Sequence, residues 1–331
     1  MTPIHINEFV IYNHHLFTHL AMEFPEPAPD EGQWIHIIGD SSLGSTALLR
    51  AMAMTLFPEP VPSTILGLSD TPWKGPAAAA AEIHLILRSR EHFSVSLARE
   101  FMPNGRHREW VRETDIETPL KWPRLGFGAH ADASASPRAT EAMFRSPIWP
   151  LHSLLCGWHT FQWERWLKGM ELEAYRHPEA MPVVTRIKEV VARFMGLSIA
   201  EVERNADWVQ NPDKQTFWFD HGSRRLTAAQ LPPRFQSAAE WICLLVGHLL
   251  CGKDTWDPDF NLNAVGIVLV DDILSHLSQG TPSTRLGALY KLFPRLTFVV
   301  VTPKTNMTLP GNIGSRWELY REGDKIGART L

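Results

Sequence analysis

The chain has 331 residues, of which 44% are hydrophobic and 21% charged, an ordinary globular balance with enough apolar material for a sizeable core. Lys plus Arg is 32 against 36 for Asp plus Glu, a net charge of −4, which argues against a nucleic-acid binder acting through bulk charge. Three cysteines (Cys156, Cys243 and Cys251) exclude a disulfide framework, and no pair has metal-ligand spacing, which points to a reducing, cytoplasmic compartment.

Ile4 to Tyr12 and Leu16 to Phe24 read as two short strands around the polar turn Asn13-His14-His15. After a Pro-rich stretch, Gln33 to Ile38 reads as a third strand running into Gly39. Leu48, Leu49, Met52 and Leu56 recur at helical spacing and predict a helix over Ser45 to Phe57. Pro58 to Pro76 is loop. Glu82 to Arg90 and His92 to Phe101 alternate as a hairpin, to which Trp110 to Arg112 adds a strand; Arg124 to Ala129 is another, and Ala131 to Arg138 is small and polar. Thr160 to Gly196 is the most helical segment, its second half carrying Val183, Ile187, Val190, Val191 and Phe194 on one face before Gly196. Thr216 to Phe219 is a strand leading into the turn Asp220-His221-Gly222. Phe235 to Cys251 is a helix too hydrophobic to lie exposed. The aliphatic runs Val265 to Val270 and Leu296 to Thr302 have the mark of central parallel strands. A hairpin follows, Trp317 to Tyr320 and Lys325 to Arg329. The longest apolar runs fall far short of the ~20 residues of a membrane span, and MTPIHINEF lacks a signal-peptide pattern.

Chemistry concentrates at a few points. Gly39-Asp40-Ser41-Ser42-Leu43-Gly44-Ser45-Thr46, between a strand and a helix, has the layout of a phosphate-binding loop, whose glycines let backbone N–H groups curl round an anion. Such a loop also needs a Lys for the β- and γ-phosphates and a Ser or Thr for Mg²⁺. Thr46 is present, but Ser45 stands at the lysine position. Downstream, Val265 to Val270 ends in Asp271-Asp272. Among the 15 histidines the only HxxxH pair is His15 with His19, about 13 Å apart on a strand, so no metal site is predicted; His248 and His276 read as satisfied core or surface residues. Trp158, Trp163 and Trp166 read first as local core and second as a contact surface.

In this order and spacing the segments resemble the ABC-type ATPase heads of the RecF/SMC-like group, P-loop NTPases, in the short form without a long coiled coil. The opening INEFVIYNHHLFTHLAMEF is similar to that group's first hairpin, and Arg50 sits in its usual LLRA helix. Val265 to Asp272 resembles the Walker B strand, whose first acid would support Mg²⁺ (Asp271) and whose second, usually Glu, polarises water (Asp272 here). Phe293 to Pro303 resembles the next strand, which in the family ends in Thr-His; Thr302 is followed by Pro303. Leu231-Pro232-Pro233-Arg234 lies where the signature Leu-Ser-x-Gly would be. The resemblance spans residues 4 to 303 and implies one α/β domain over residues 1–331, with a mixed sheet, an antiparallel β-subdomain near 4–24 and 82–113, and a helical insertion near 158–196. Strands 33–38, 265–270 and 296–301 should be neighbours.

The resemblance leaves three function classes open. One is a catalytically degenerate head, a pseudo-ATPase serving as a binding or scaffold subunit with a protein partner in a DNA-maintenance or anti-phage complex. It needs no cofactor, and weak Mg-ATP binding through residues 39–46 with Asp271 is compatible with it. The second is an active ATPase whose cation comes from elsewhere, such as Arg50 or a partner's basic residue, with Asp272 acting on water. The third is an unrelated α/β protein. For the first, nucleotide-gated closure should not be the switch, and the Trp158, Trp163 and Trp166 segment is the candidate contact surface.

Overall fold

The computed structural model describes residues 2–14, 16–56, 81–89, 94–101, 107–114, 123–128, 151, 154, 161–205, 207–251, 256–276, 282–303 and 314–331. The expected loops at 58–76 and 131–138, and Trp158, lie outside these residues.

The opening strands β1 (Ile4–His14) and β2 (Phe17–Glu23) pair antiparallel, with Asn13 at φ 47° near the end of β1, a conformation Asn tolerates. β3 (Trp34–Ile38) leads through a loop into α1 (Ser45–Thr55). β4 (Ala81–Ser89), β5 (Ser94–Phe101) and β6 (His107–Thr114) complete a five-stranded antiparallel sheet in the order β2-β1-β4-β5-β6. The predicted β-subdomain is therefore present, and its third strand is longer than the three residues read from the sequence.

β7 (Arg124–Phe127) precedes two helices, α2 (Trp163–Arg176) and α3 (Met181–Met195), the latter closed by Gly196 at φ 68°. A three-stranded sheet follows: β8 (Ser198–Arg204), β9 (Gln215–His221) and β10 (Arg224–Thr227), in the order β10-β9-β8. Only β9 was read from the sequence. Then come α4 (Pro233–Leu250), β11 (Gly266–Val270), α5 (Pro282–Leu292), β12 (Leu296–Thr302), β13 (Ser315–Glu322) and β14 (Lys325–Thr330).

The central sheet has the order β14-β13-β3-β12-β11-β7, all parallel except the edge strand β14. The three predicted central strands are neighbours, β3 beside β12 and β12 beside β11. Their unbroken hydrophobicity is explained by what each face covers. Trp34, Val268, Val270, Phe298 and Val300 point into a core with α2, α3, α4 and α5. Ile35, Ile37, Ile267, Leu269, Val299 and Val301 point into a second core with α1, β1, β2 and β4. A strand buried on both faces has no polar side to alternate with. Gly314 opens β13 at φ 51°; a Cβ there would sit 1.7 Å from the Trp34 carbonyl oxygen, so only glycine lets β13 start against β3.

Trp163 follows the first reading of these tryptophans, local core, and not the contact surface. It is 8% exposed and packs edge-on against Phe219 at 6.0 Å, while Trp166 lies against Phe161 and over Gly247. Both belong to the helical core rather than to a free face.

Candidate functional site

Parallel neighbours end on the same side. Ile38 pairs with Thr302 and Val270 with Val300, so the loop after β3, the acidic pair after β11 and the end of β12 meet at one sheet edge. The carboxyl ends of parallel strands are where open α/β sheets bind ligands. The structure thus brings together residues 39–46, Asp271, Asp272 and Thr302.

Gly39 donates its N–H to the Thr302 carbonyl at 2.9 Å, tying the loop to β12. Ser41–Leu43 form one turn of 3-10 helix, and Asp40 caps it. Its Oδ1 accepts the N–H groups of Ser42 (2.8 Å) and Leu43 (3.2 Å) and the Ser42 hydroxyl. The Ser42 hydroxyl first, then those N–H bonds and the charge of Arg321, hold the Asp40 carboxyl below its usual range, so it is ionised at neutral pH. Gly44, at φ 78°, turns the chain into α1, and a Cβ there would lie 3.1 Å from the Phe17 ring. Ser45 does not reach outward; its hydroxyl donates back to the Asp40 carbonyl at 3.2 Å.

Thr46 Oγ1 donates to Asp271 Oδ2 at 2.8 Å, joining α1 to the end of β11. Burial raises the Asp271 carboxyl, against the Thr46 hydrogen bond and the nearby Arg50 charge. Burial also raises Asp272, and the adjacent Asp271 charge raises it further. Asp272 sits at φ 44°, with its carbonyl accepting from the N–H and hydroxyl of Ser275, and its Oδ1 is buried without a partner among the described residues. Arg50, the proposed substitute cation, donates its Nε to the Leu154 carbonyl at 3.0 Å. Its charge is also felt at Asp271.

Sequence reasoning missed two residues. Arg321, from β13, donates Nη2 to the Ser42 carbonyl at 3.1 Å and is the cation beside the loop. His36, inside β3, is bonded through Nε2 to the Thr302 hydroxyl at 2.7 Å. Burial, then the Arg316 charge, lowers its pKa to about 4, so the imidazole is neutral. No sequence spacing announces either, because both contacts cross strands far apart in the chain. The segment at the signature position opens α4 with Pro232 and Pro233, so that helix start has neither a hydroxyl cap nor those two N–H donors.

The residues present fit one half of a Mg-nucleotide and not the other. Thr46 and Asp271 are a hydroxyl and a carboxylate already in contact, suitable donors for a hard cation. The triphosphate half fits poorly: the N–H groups of Ser42 and Leu43 are turned to Asp40, that of Gly44 to the Ser41 carbonyl, and position 45 supplies no charge. Among the described residues no cluster of His, Cys, Asp and Glu could hold a metal by itself, and no helix is long and apolar enough to cross a membrane.

The loop and the two-faced sheet have the fold of the ATPase heads of SMC and RecF proteins. The sequence matches no protein-family model and no curated protein. Solved structures do match. An SMC head bound to the C-winged helix domain of ScpA is 13% identical with a TM-score of 0.57, covering 99% of this chain and 97% of that one. The SMC head domain from Thermotoga maritima is 10% identical, TM-score 0.53, covering 100% and 99%. The recombination mediator protein RecF with ATP is 13% identical, TM-score 0.52, covering 99% and 98%. The shared fold runs the length of the chain.

Proposed function

We propose that this chain is a non-hydrolysing head, a binding or scaffold subunit whose phosphate loop is filled by its own Asp40. The carrying observation is the Asp40 carboxylate on the N–H groups of Ser42 and Leu43. An incoming phosphate meets a fixed negative charge where it needs donors. Losing the loop lysine removes a charge-assisted contact of about 1.5–3 kcal/mol, roughly 10- to 100-fold in binding. The loss is larger in the transition state, where that lysine would stabilise the transferred phosphoryl group. Asp272 in place of Glu draws the carboxylate back from any attacking water. A protein-partner role accords with the SMC head neighbour, which is bound to a domain of ScpA; the net charge of −4 gives no support to DNA binding.

Calorimetric titration with Mg-ATP, alongside a turnover assay, tests this on the wild type, Ser45→Lys and Asp40→Gly/Ser45→Lys. The wild type should show no turnover. Ser45→Lys alone should stay weak, because Asp40 still holds the loop, while the double variant should bind at least tenfold more tightly. Steady wild-type turnover, abolished by Asp271→Ala, would overturn the proposal.

Arg321 favours a second reading, a nucleotide binder whose cation comes from β13. In that case the wild type binds Mg-ATP and Arg321→Ala removes the binding.

A further inference from the structure

Away from the loop, a groove of about 760 Å³ runs between α3 and β8. β8 pairs with β9 on one side, and among the described residues no strand pairs with its other side. Ser198, Ile199, Ala200, Val202 and Arg204 of that strand line the groove. The floor is apolar, from the half-buried Leu197, Ile199 and Val202, and the rim is basic, from Lys188, Arg193 and Arg204.

The charges are unevenly committed. Glu171, nearly fully buried on α2, draws Lys188 Nζ to 2.6 Å and Arg204 to 2.5 Å, so two of the three cations share one carboxylate. Glu189, the one carboxylate lining the groove, is engaged by Arg186 at 2.9 Å. Arg193 is exposed and has no carboxylate partner among the described residues. The groove is left with surplus positive charge in a chain of net charge −4. Beside it Arg204 lies 5.2 Å over the Trp208 ring, which packs edge-on to Tyr175 at 5.0 Å; Tyr175 is 59% exposed. Arg, Trp and Tyr are the residue types that carry most binding energy in protein interfaces.

We infer that this groove receives an extended acidic segment of a partner protein, added as a strand to the open edge of β8. The edge supplies backbone donors and acceptors, and the floor takes alternate apolar side chains of the incoming strand. The basic rim, on the same side as that floor, favours Asp or Glu in the segment. The seven residues of β8 span roughly 23 Å, which limits the segment to about five to seven residues. Nucleic acid is the poorer fit, because one uncommitted arginine falls well short of the several phosphate contacts such binding rests on. The inference needs only that the chain binds protein, and stands whether or not its loop binds nucleotide.

The test pans a random ten-residue peptide library, displayed on phage, against the full chain and against Arg193→Glu and Ser198→Trp; both substitutions are at exposed groove positions. Recovered peptides should combine acidic and apolar residues and be depleted at least tenfold on both variants. A synthetic copy of one such peptide, N-methylated at alternate residues, should bind at least tenfold more weakly in fluorescence anisotropy, as strand addition requires. No enrichment overturns the inference, as do basic peptides, equal recovery on the variants, or undiminished binding of the N-methylated copy. So does tighter binding of labelled oligothymidylate, or a protein that is a dimer by light scattering and becomes a monomer with Ser198→Trp. Circular dichroism confirms that each variant is folded, and Mg-ATP titration of both variants should match the wild type, separating this result from the fate of the loop proposal.

Discussion

At neutral pH His36 and His248 are uncharged imidazoles inside the protein, each lowered from 6.5 to about 4, chiefly by burial. The unfolded chain binds protons that the folded chain refuses. Stability is therefore intact above pH 6.5 and falls as pH drops toward 4, by up to about 1.4 kcal/mol per histidine for each unit crossed. Denaturant midpoints at pH 7, 5.5 and 4.5 should decline in that order, and His36→Gln should flatten the decline; an unchanged slope contradicts the assignment. Asp272 runs the other way. Its raised carboxyl is a cost that grows as pH rises through the carboxylate range, so Asp272→Asn should be neutral or raise the melting temperature at pH 7 by about 1–2 °C and lose that gain in acid. Asn also tolerates φ 44°. A drop of several degrees at pH 7 would show that the ionised carboxylate is held by something stabilising. At this scale the sequence showed which residue types form the loop and which cation is missing. It did not show that Asp40 closes on Ser42 and Leu43, though an Asp two residues before a Ser in a Gly-bounded turn is a local signal for such a bond.

α4 is the hub of the helical core. Trp241 at its centre is fully buried, with the Phe194 ring at 5.3 Å from α3 and Phe127 at 5.5 Å from β7. Trp241→Ala should cost about 3–5 kcal/mol, read from chemical denaturation monitored by circular dichroism, since the cavity spans three elements that cannot all collapse into it. A loss under 1 kcal/mol would mean that this core is looser than its contacts indicate. α4 and the central strands were legible because continuous hydrophobicity has few other physical explanations. β8 was not: the bulge at Ala200 breaks its alternation, and Glu201, Glu203 and Arg204 on an open edge resemble a solvated segment. The Trp163 reading resolved toward core for a related reason: spacing shows that tryptophans cluster, but not whether another element covers them.

The whole molecule joins two cores through one sheet; under the proposed function, its loop and the helix start of α4 both depart from the ATPase pattern. Two copies clamped by ATP would contain two altered sites, so the mass in solution, measured by light scattering, should be the same with and without Mg-ATP; a nucleotide-dependent dimer would refute this. The placement of β13 and β14 has a separate consequence, for the order in which the protein forms. β3 lies between β12 and β13, strands made about 260 and 280 residues later. The β1, β2 and β4 layer with α1 can be assembled while β3 waits with both edges open. The last strands then seal one edge, with Gly314 permitting the close approach to Trp34. Such long-range parallel pairing is slow and leaves an adhesive intermediate. Nascent chains stalled before residue 314 should therefore be protease-sensitive at residues 34–38 and depend on chaperones. Release of the final hairpin should end both conditions together.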